Sequence, residues 1–358
     1  MRSQTPRVPK PPITDTSSEW IATLMPDDPG YRVQQILHAV YHLPIDGFDA
    51  IRVLPERLRA LLEANLAFSS LARITEQQSH DGTRKALFHA ADGSAIETVR
   101  MPSERGTATT VCVSSQSGCG MGCTFCATGA TGLTRNLTAG EIVDQFLHFR
   151  RTASREEAPD RLVFMGMGEP LANLRSVEAA VSALVDPNRV GLGARHVTVS
   201  TVGLPKGIDE IAGWPWQVGL AISLHAPDDA IRSELVPVNR RFPIVDLMGA
   251  SLRYQRQTGR RVSYEYTLLA GVNDSESTAT ALARLLQGQR CHVNLIPFNP
   301  FPGARYQPPT SEVARTFRDA LRAFGIAATI RRTRGRDISG ACGQLHAGQL
   351  TSTATARA

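Results

Sequence analysis

Lysine is almost missing from this 358-residue chain: Lys10, Lys85 and Lys206 are three of its 39 basic residues, and arginine supplies the rest. Guanidinium forks suit phosphates and base edges better than ammonium points do. Arginine-biased coding leaves the same mark, so this lack selects no partner by itself. A net charge of +6 and a sequence pI near 9.2 point mildly towards a polyanion. Long apolar runs are lacking too. None approaches the roughly eighteen residues of a membrane span, and the start, MRSQTPRVPKPP, has no signal-peptide core. Cysteine is scarce, at six, and four of the six fall within residues 112–126. That grouping excludes a disulfide framework and predicts a protein of the reducing cytoplasm. Hydrophobic residues at 42% and charged ones at 20% are ordinary for a globular protein. The length suits one barrel-sized domain with a smaller one beside it.

What the sequence does hold is concentrated in that stretch, C-V-S-S-Q-S-G-C-G-M-G-C-T-F-C. Cys119, Cys123 and Cys126 stand in a C-x3-C-x2-C spacing on a glycine-rich loop. Three thiolates so placed reach three corners of one iron–sulfur cube and leave the fourth iron open. An open iron can chelate the amino and carboxylate groups of S-adenosylmethionine and pass an electron to its sulfonium. A structural zinc site would show paired C-x2-C halves and four ligands. Three unpaired thiols rarely crowd into one glycine loop. The triplet is the signature of the radical-SAM superfamily.

Around it the chain divides. Residues 1–18 read as a disordered leader and 348–358 as a disordered tail. Residues 19–70 carry helical spacing (Val33, Ile36, Leu37, Val40; Leu58, Leu61, Leu62) and predict a small helical accessory domain. Residues 71–104 predict a β-hairpin extension, with turn signals at Asp81-Gly82 and Asp92-Gly93. From 105 to 347 strands and helices alternate. Strands are expected at 110–115, 162–165, 196–201, 218–223, 262–268 and 292–296; helices at 173–185, 226–235, 243–256, 275–287 and 311–324. Thr138 and Glu141 form a capping-box pattern before another. Six βα units predict an α/β fold, an open, partial (β/α)6 barrel, with chemistry at the C-terminal strand ends. The cluster loop falls there, as do Gly168-Glu169, Ser200, Ser223-Leu224-His225 and Asn299. Any one is an ordinary cap or turn residue; their recurrence on one rim is the signal. Cys291 reads as a small buried hydrophobe. Cys342, flanked by small residues after the barrel, predicts a thiol on a mobile segment.

Taken together these motifs resemble one family. C-V-S-S-Q-x-G-C-x3-C-x-F-C-x-T-G, R-N-L-T-A-G-E-I, F-M-G-M-G-E-P-L-A-N, S-L-H-A, G-V-N-D, V-N-L-I-P-x-N-P-F-P-G and A-C-G-Q-L are similar, in order, to the radical-SAM adenine methyltransferases of 23S ribosomal RNA, the RlmN/Cfr family. The resemblance spans about residues 25–347. It implies a [4Fe–4S] cluster on Cys119, Cys123 and Cys126, and S-adenosylmethionine on Gly168, Glu169, Ser200, Ser223, Leu224, His225 and Asn299. It makes Cys342 the methyl carrier, Cys112 its disulfide partner and Glu97 the proton acceptor. It implies two S-adenosylmethionines per turnover: one methylates Cys342, and the other is cleaved to activate that methyl for addition to the base. The expected partners are 23S ribosomal RNA before assembly is complete, transfer RNA as a further substrate, and an external electron donor of the flavodoxin or ferredoxin kind. The enzyme is expected to be a monomer. Methylation at carbon 2 is the reading favoured by P-F-N-P-F-P-G, with Cfr-like methylation at C8, and antibiotic resistance, as the rival. Ser339 and Gly340 depart from the family's usual Asp and Ala, and two extra residues separate Glu97 from Cys112.

Overall fold

A computed structural model describes residues 10–103, 108–154 and 156–346. The first helices are α1 (Ser18–Thr23), α2 (Tyr31–His42) and α3 (Glu56–Asn65). In α2 the spacing of Val33, Ile36, Leu37 and Val40 puts all four on one buried face. The leader is shorter than its composition suggests. Ile13 is fully buried, its N–H bonds to the Ala67 carbonyl at 2.9 Å, and the Asp15 carboxylate accepts from Thr138 Oγ1 and the Gly140 N–H. One apolar side chain in a polar run has found a slot in the core. Residues 1–9 and the 348–358 tail lie outside the described residues.

Ten strands share one sheet. β1 (Leu71–Gln78), β2 (Arg84–Ala90) and β3 (Ala95–Pro102) form an antiparallel meander, and β3 pairs antiparallel with β4 (Thr109–Cys112). Off the main sheet, β5 (Gln116–Cys119), α4 (Ala127–Thr131) and β6 (Gly132–Asn136) make a small ribbon. Then come α5 (Ala139–Thr152), β7 (Arg161–Phe164), α6 (Leu174–Val185), β8 (Val197–Thr201), α7 (Pro205–Ala212) and β9 (Gly219–Ser223). The chain continues through α8 (Asp229–Leu235), α9 (Ile244–Thr258), β10 (Val262–Leu268), α10 (Glu276–Leu286), β11 (Cys291–Pro297), α11 (Ser311–Ala323) and β12 (Ala328–Ile330). The spatial order is β1-β2-β3-β4-β7-β8-β9-β10-β11-β12, with parallel pairing from β4 onward. This is the expected partial barrel, with the short β12 as a seventh parallel strand.

The capping box forms as the sequence dictates: Thr138 Oγ1 accepts from the Glu141 N–H, and the Glu141 carboxylate accepts from the Thr138 N–H. One hydrophobic core runs from Ile13 and the accessory helices through the barrel to Ala328. Asp144 on α5 seals that junction, accepting from Thr14 Oγ1, Ser69 Oγ, and the N–H and hydroxyl of Ser70. Cys291 is buried at the start of β11, as a small apolar residue would be.

Candidate functional site

Beyond Cys112 the chain leaves the sheet, and polar side chains take over the work of the ladder. Gln145 Nε2 donates to the Ser114 carbonyl while its Oε1 accepts from the Ser114 N–H and Thr98 Oγ1. Asn173 Nδ2 donates to the carbonyls of Ser115 and Leu137. Within the ribbon, a Cβ on Gly118 would lie 2.0 Å from the Gly132 carbonyl oxygen, so only glycine lets β5 and β6 approach. The loop so held places Cys119, Cys123 and Cys126 on the wall of one cavity. That cavity encloses about 990 Å³ of empty space, part of it open to solvent.

Gly168, Glu169, Ser200, Ser223, His225 and Asn299 line the same cavity. Gly168 has φ +98°, and a Cβ there would meet Gln116 Cβ at 2.5 Å. The next residue, Glu169, bonds through its N–H to Gln116 Oε1 at 2.9 Å. Its buried carboxylate accepts from the N–H groups of Leu171 (3.0 Å) and Val202 (2.9 Å). Burial pushes it up to about 7 against those bonds, so a ligand ammonium would find an acceptor short of a counter-charge. His225 has φ +61°. Its Nδ1 accepts the Thr267 N–H at 3.0 Å, which leaves the ring hydrogen on Nε2. Burial pushes its pKa down to about 3, so the ring is a neutral donor. Phe125 packs edge-on against it, with ring centroids 4.5 Å apart. Leu224 does not line the cavity. Its side chain is fully buried, and it contributes its backbone, bonding to the Glu265 carbonyl and to Arg232 Nε.

A second chamber adjoins the first, and Met165, Ile296, Asn299, Cys342 and Leu345 line both. Cys112 faces this second chamber only. Arg161, Arg195 and Arg331 stand on its walls. Cys342 has accessible surface, but that surface faces the chambers and protein surrounds it. Burial raises its thiol to about 11 and that of Cys112 to about 12, where Cys342 is the next cause. All six cysteines are free thiols; the Cys112–Cys342 disulfide implied by the resemblance is not present.

One expectation changes. The segment around Cys342 is tied down, not loose: Asn299 Nδ2 donates to the Cys342 carbonyl (3.1 Å), and Thr333 Oγ1 to Asn299 Oδ1 (2.9 Å). The Ala127 N–H reaches the Gly343 carbonyl, Thr128 Oγ1 the Leu345 carbonyl, and Gln344 Nε2 the Pro300 carbonyl. Glu97, in turn, lines neither chamber. It is buried, ion-paired with Lys85 at 2.9 Å, and accepts the His346 N–H at 2.6 Å. In the strands beside it, Val99 pairs with Cys112 and Pro102 with Thr109, so β3 and β4 keep one unbroken register.

Sequence reasoning missed the scaffolding. Arg232, fully buried, donates to the carbonyls of Leu224, Val202 and Ser223 and to Asn239 Oδ1, stitching the ends of β8 and β9 together. A lone helical arginine gives no local sign of this. Asn273, in the G-V-N-D motif, donates to the carbonyls of His225 and Thr267. Glu265 Oε2 is buried on the cavity wall without a hydrogen-bond partner, an acceptor of the kind a polar ligand satisfies. Among the described residues no three His, Cys, Asp or Glu side chains converge as a single metal ion requires. Three thiols around one cavity suit a polynuclear iron–sulfur group instead.

The family model of the radical SAM superfamily matches residues 113–282. The chain is 50% identical over 336 residues to a probable dual-specificity RNA methyltransferase RlmN from Parafrankia sp. (strain EAN1pec), covering 89% of this chain and 86% of that one. It is 43% identical to a protein of the same description from Gemmatimonas aurantiaca, covering 93% and 90%. Among solved structures, a radical SAM methyltransferase from Sphaerobacter thermophilus superposes with a TM-score of 0.91 at 49% identity, covering 94% of this chain and 99% of that one.

Proposed function

Because this chain belongs to the RlmN family of radical-SAM RNA methyltransferases, we propose that it methylates carbon 2 of an adenosine in 23S ribosomal RNA, with the adenosine 3′ of transfer-RNA anticodons as its second target. The observation that carries the reading is the position of Cys342 on the wall of both chambers. One chamber has the three cluster thiols and the Glu169 and His225 groups that suit an amino acid and a nucleoside. The other has arginines suited to phosphates.

Carbon 2 of adenine is electron-poor and cannot attack a methyl sulfonium directly, so a protein atom must carry the methyl group. Held by Cys119, Cys123 and Cys126 and by the residues around Glu169, the cluster and S-adenosylmethionine supply the methyl group and the one-electron chemistry that activates it. Cys342 Sγ, as its thiolate, takes the methyl group by displacement with the thioether as leaving group, and once that S-methyl group has given up a hydrogen atom its carbon bonds to carbon 2 of the base. Glu97 accepts the carbon-2 proton, which requires the His346 N–H to release Oε2. Cys112, as its thiolate, then attacks Cys342 Sγ; the sulfur–carbon bond breaks with its electron pair left on the bridging methylene, which takes up a proton to become the product's methyl group, and a disulfide remains for an external donor to reduce. The target base leaves its stack to reach the second chamber.

Nucleoside mass spectrometry tests the regiochemistry. RNA from a strain that lacks both C2 and C8 activities, but expresses this chain, is expected to contain 2-methyladenosine in its ribosomal and transfer fractions. Finding 8-methyladenosine instead overturns the carbon-2 assignment.

A further inference from the structure

We propose that the buried Lys85–Glu97 ion pair is a clip that positions the carrier cysteine, with Lys85 a positioning residue for methyl transfer. Lys85 on β2 and Glu97 on β3 are diagonal neighbours in the register, with side chains 7% and 1% exposed. Lys85 Nζ also donates to the Ser339 carbonyl at 3.4 Å, and Glu97 Oε2 accepts the His346 N–H at 2.6 Å. Ser339 and His346 bracket Cys342, so the two charges grip the carrier segment at both ends. Neither residue lines a chamber, so in this state the pair acts through the segment.

Stability alone does not account for the pair. Well-packed apolar residues in place of a buried ion pair are often neutral or stabilising. An apolar pair could not accept one backbone N–H and donate to one carbonyl, which is what holds the segment here. The choice of lysine fits. In a chain that uses arginine almost throughout, the other two lysines, Lys10 and Lys206, are exposed, and this buried one is a compact ammonium. Ser339, held at φ +51°, and the Lys85 contact to its carbonyl are two parts of one docked turn.

The catalytic meaning of the clip rests on reading Cys342 as the carrier, but the clip itself is measurable without turnover. Amide hydrogen exchange on the cluster-loaded full chain compares wild type, Lys85→Met and the doubly apolar Lys85→Met/Glu97→Leu. Lys85→Met is expected to speed exchange at residues 339–346 by about tenfold and to raise Cys342 alkylation by iodoacetamide similarly, with β10 and β11 unchanged. The double variant is expected to regain the wild-type Tm while its carrier segment stays unprotected. The kcat of Lys85→Met, which keeps Glu97, should fall with the KM for S-adenosylmethionine unchanged. Unchanged exchange at 339–346 in Lys85→Met overturns the clip. So does recovery of segment protection together with Tm in the double variant, which also decides the matter if Lys85→Met does not fold. Loosened exchange with kcat intact would uphold the clip and count against Cys342 as the carrier.

Discussion

His225 shows how far one side chain can be fixed without a charge. Its Nδ1 is committed to the Thr267 N–H, its carbonyl to Asn273 Nδ2, and its ring to Phe125. Protonation would break the first of these bonds and place a cation in a buried site close to Arg232, so the pKa falls from 6.5 to about 3. The linkage follows from the sign of that shift. The unfolded chain takes up a proton near pH 6.5 and the folded one does not until about pH 3, so the stability due to neutral His225 is complete above 6.5 and is lost as pH falls through this window. Between pH 6.5 and 5 that amounts to about 2 kcal/mol. His225→Asn keeps an acceptor and tolerates φ +61°. Urea unfolding at the two pH values should show the slope in wild type and about 2 kcal/mol less of it in the variant. An equal slope in both would mean that the folded ring titrates as the unfolded one does. The strand-end position of His225 was legible in S-L-H-A; its left-handed backbone was not, because that conformation is imposed by the bonds from β10.

The carrier segment, the stretch from β12 to His346, decides whether the proposed release step works. It places Cys342 beside Cys112 at the end of β4, both facing the second chamber. If Cys112 resolves the enzyme–RNA bond, Cys112→Ala protein should accumulate as an RNA adduct that survives denaturation and maps to Cys342, while Cys112→Ala/Cys342→Ala forms none. If Cys112 only fills the apolar cluster of Val99, Met167 and Leu345, its replacement costs some stability and leaves free, methylated RNA. Regular elements were legible where periodicity was strong, as in α2, α9, β10 and β11. The ribbon was not: β5 and β6 hold glycine, threonine and asparagine, and are joined by close backbone approach at Gly118 and by the Gln116–Asn136 side-chain bond. Helix α7 was missed because it is short and contains Gly207, which allows Leu171 to pack against it. Strand β12, three residues long, takes its conformation from β11.

At the scale of the molecule, the accessory helices and the barrel share one core, and Asp144 ties residues 14, 69 and 70 to α5. The sequence suggested a module set beside the barrel; burial of Ile13 against the core shows that it is part of it. A chain lacking residues 1–66 should therefore expose the face of α5 and β1 and lose cooperative thermal unfolding. A sharp transition at the wild-type Tm would show the barrel to be independent. The sharing of Cys342 by two chambers bears on timing. On the proposed route, the methyl donor occupies one chamber and the RNA the other, so loading needs no RNA and the spent nucleoside need not leave past it. Such an enzyme waits charged. The stock of loaded protein, and not the supply of donor at the moment of encounter, then sets how quickly a newly made RNA receives its mark.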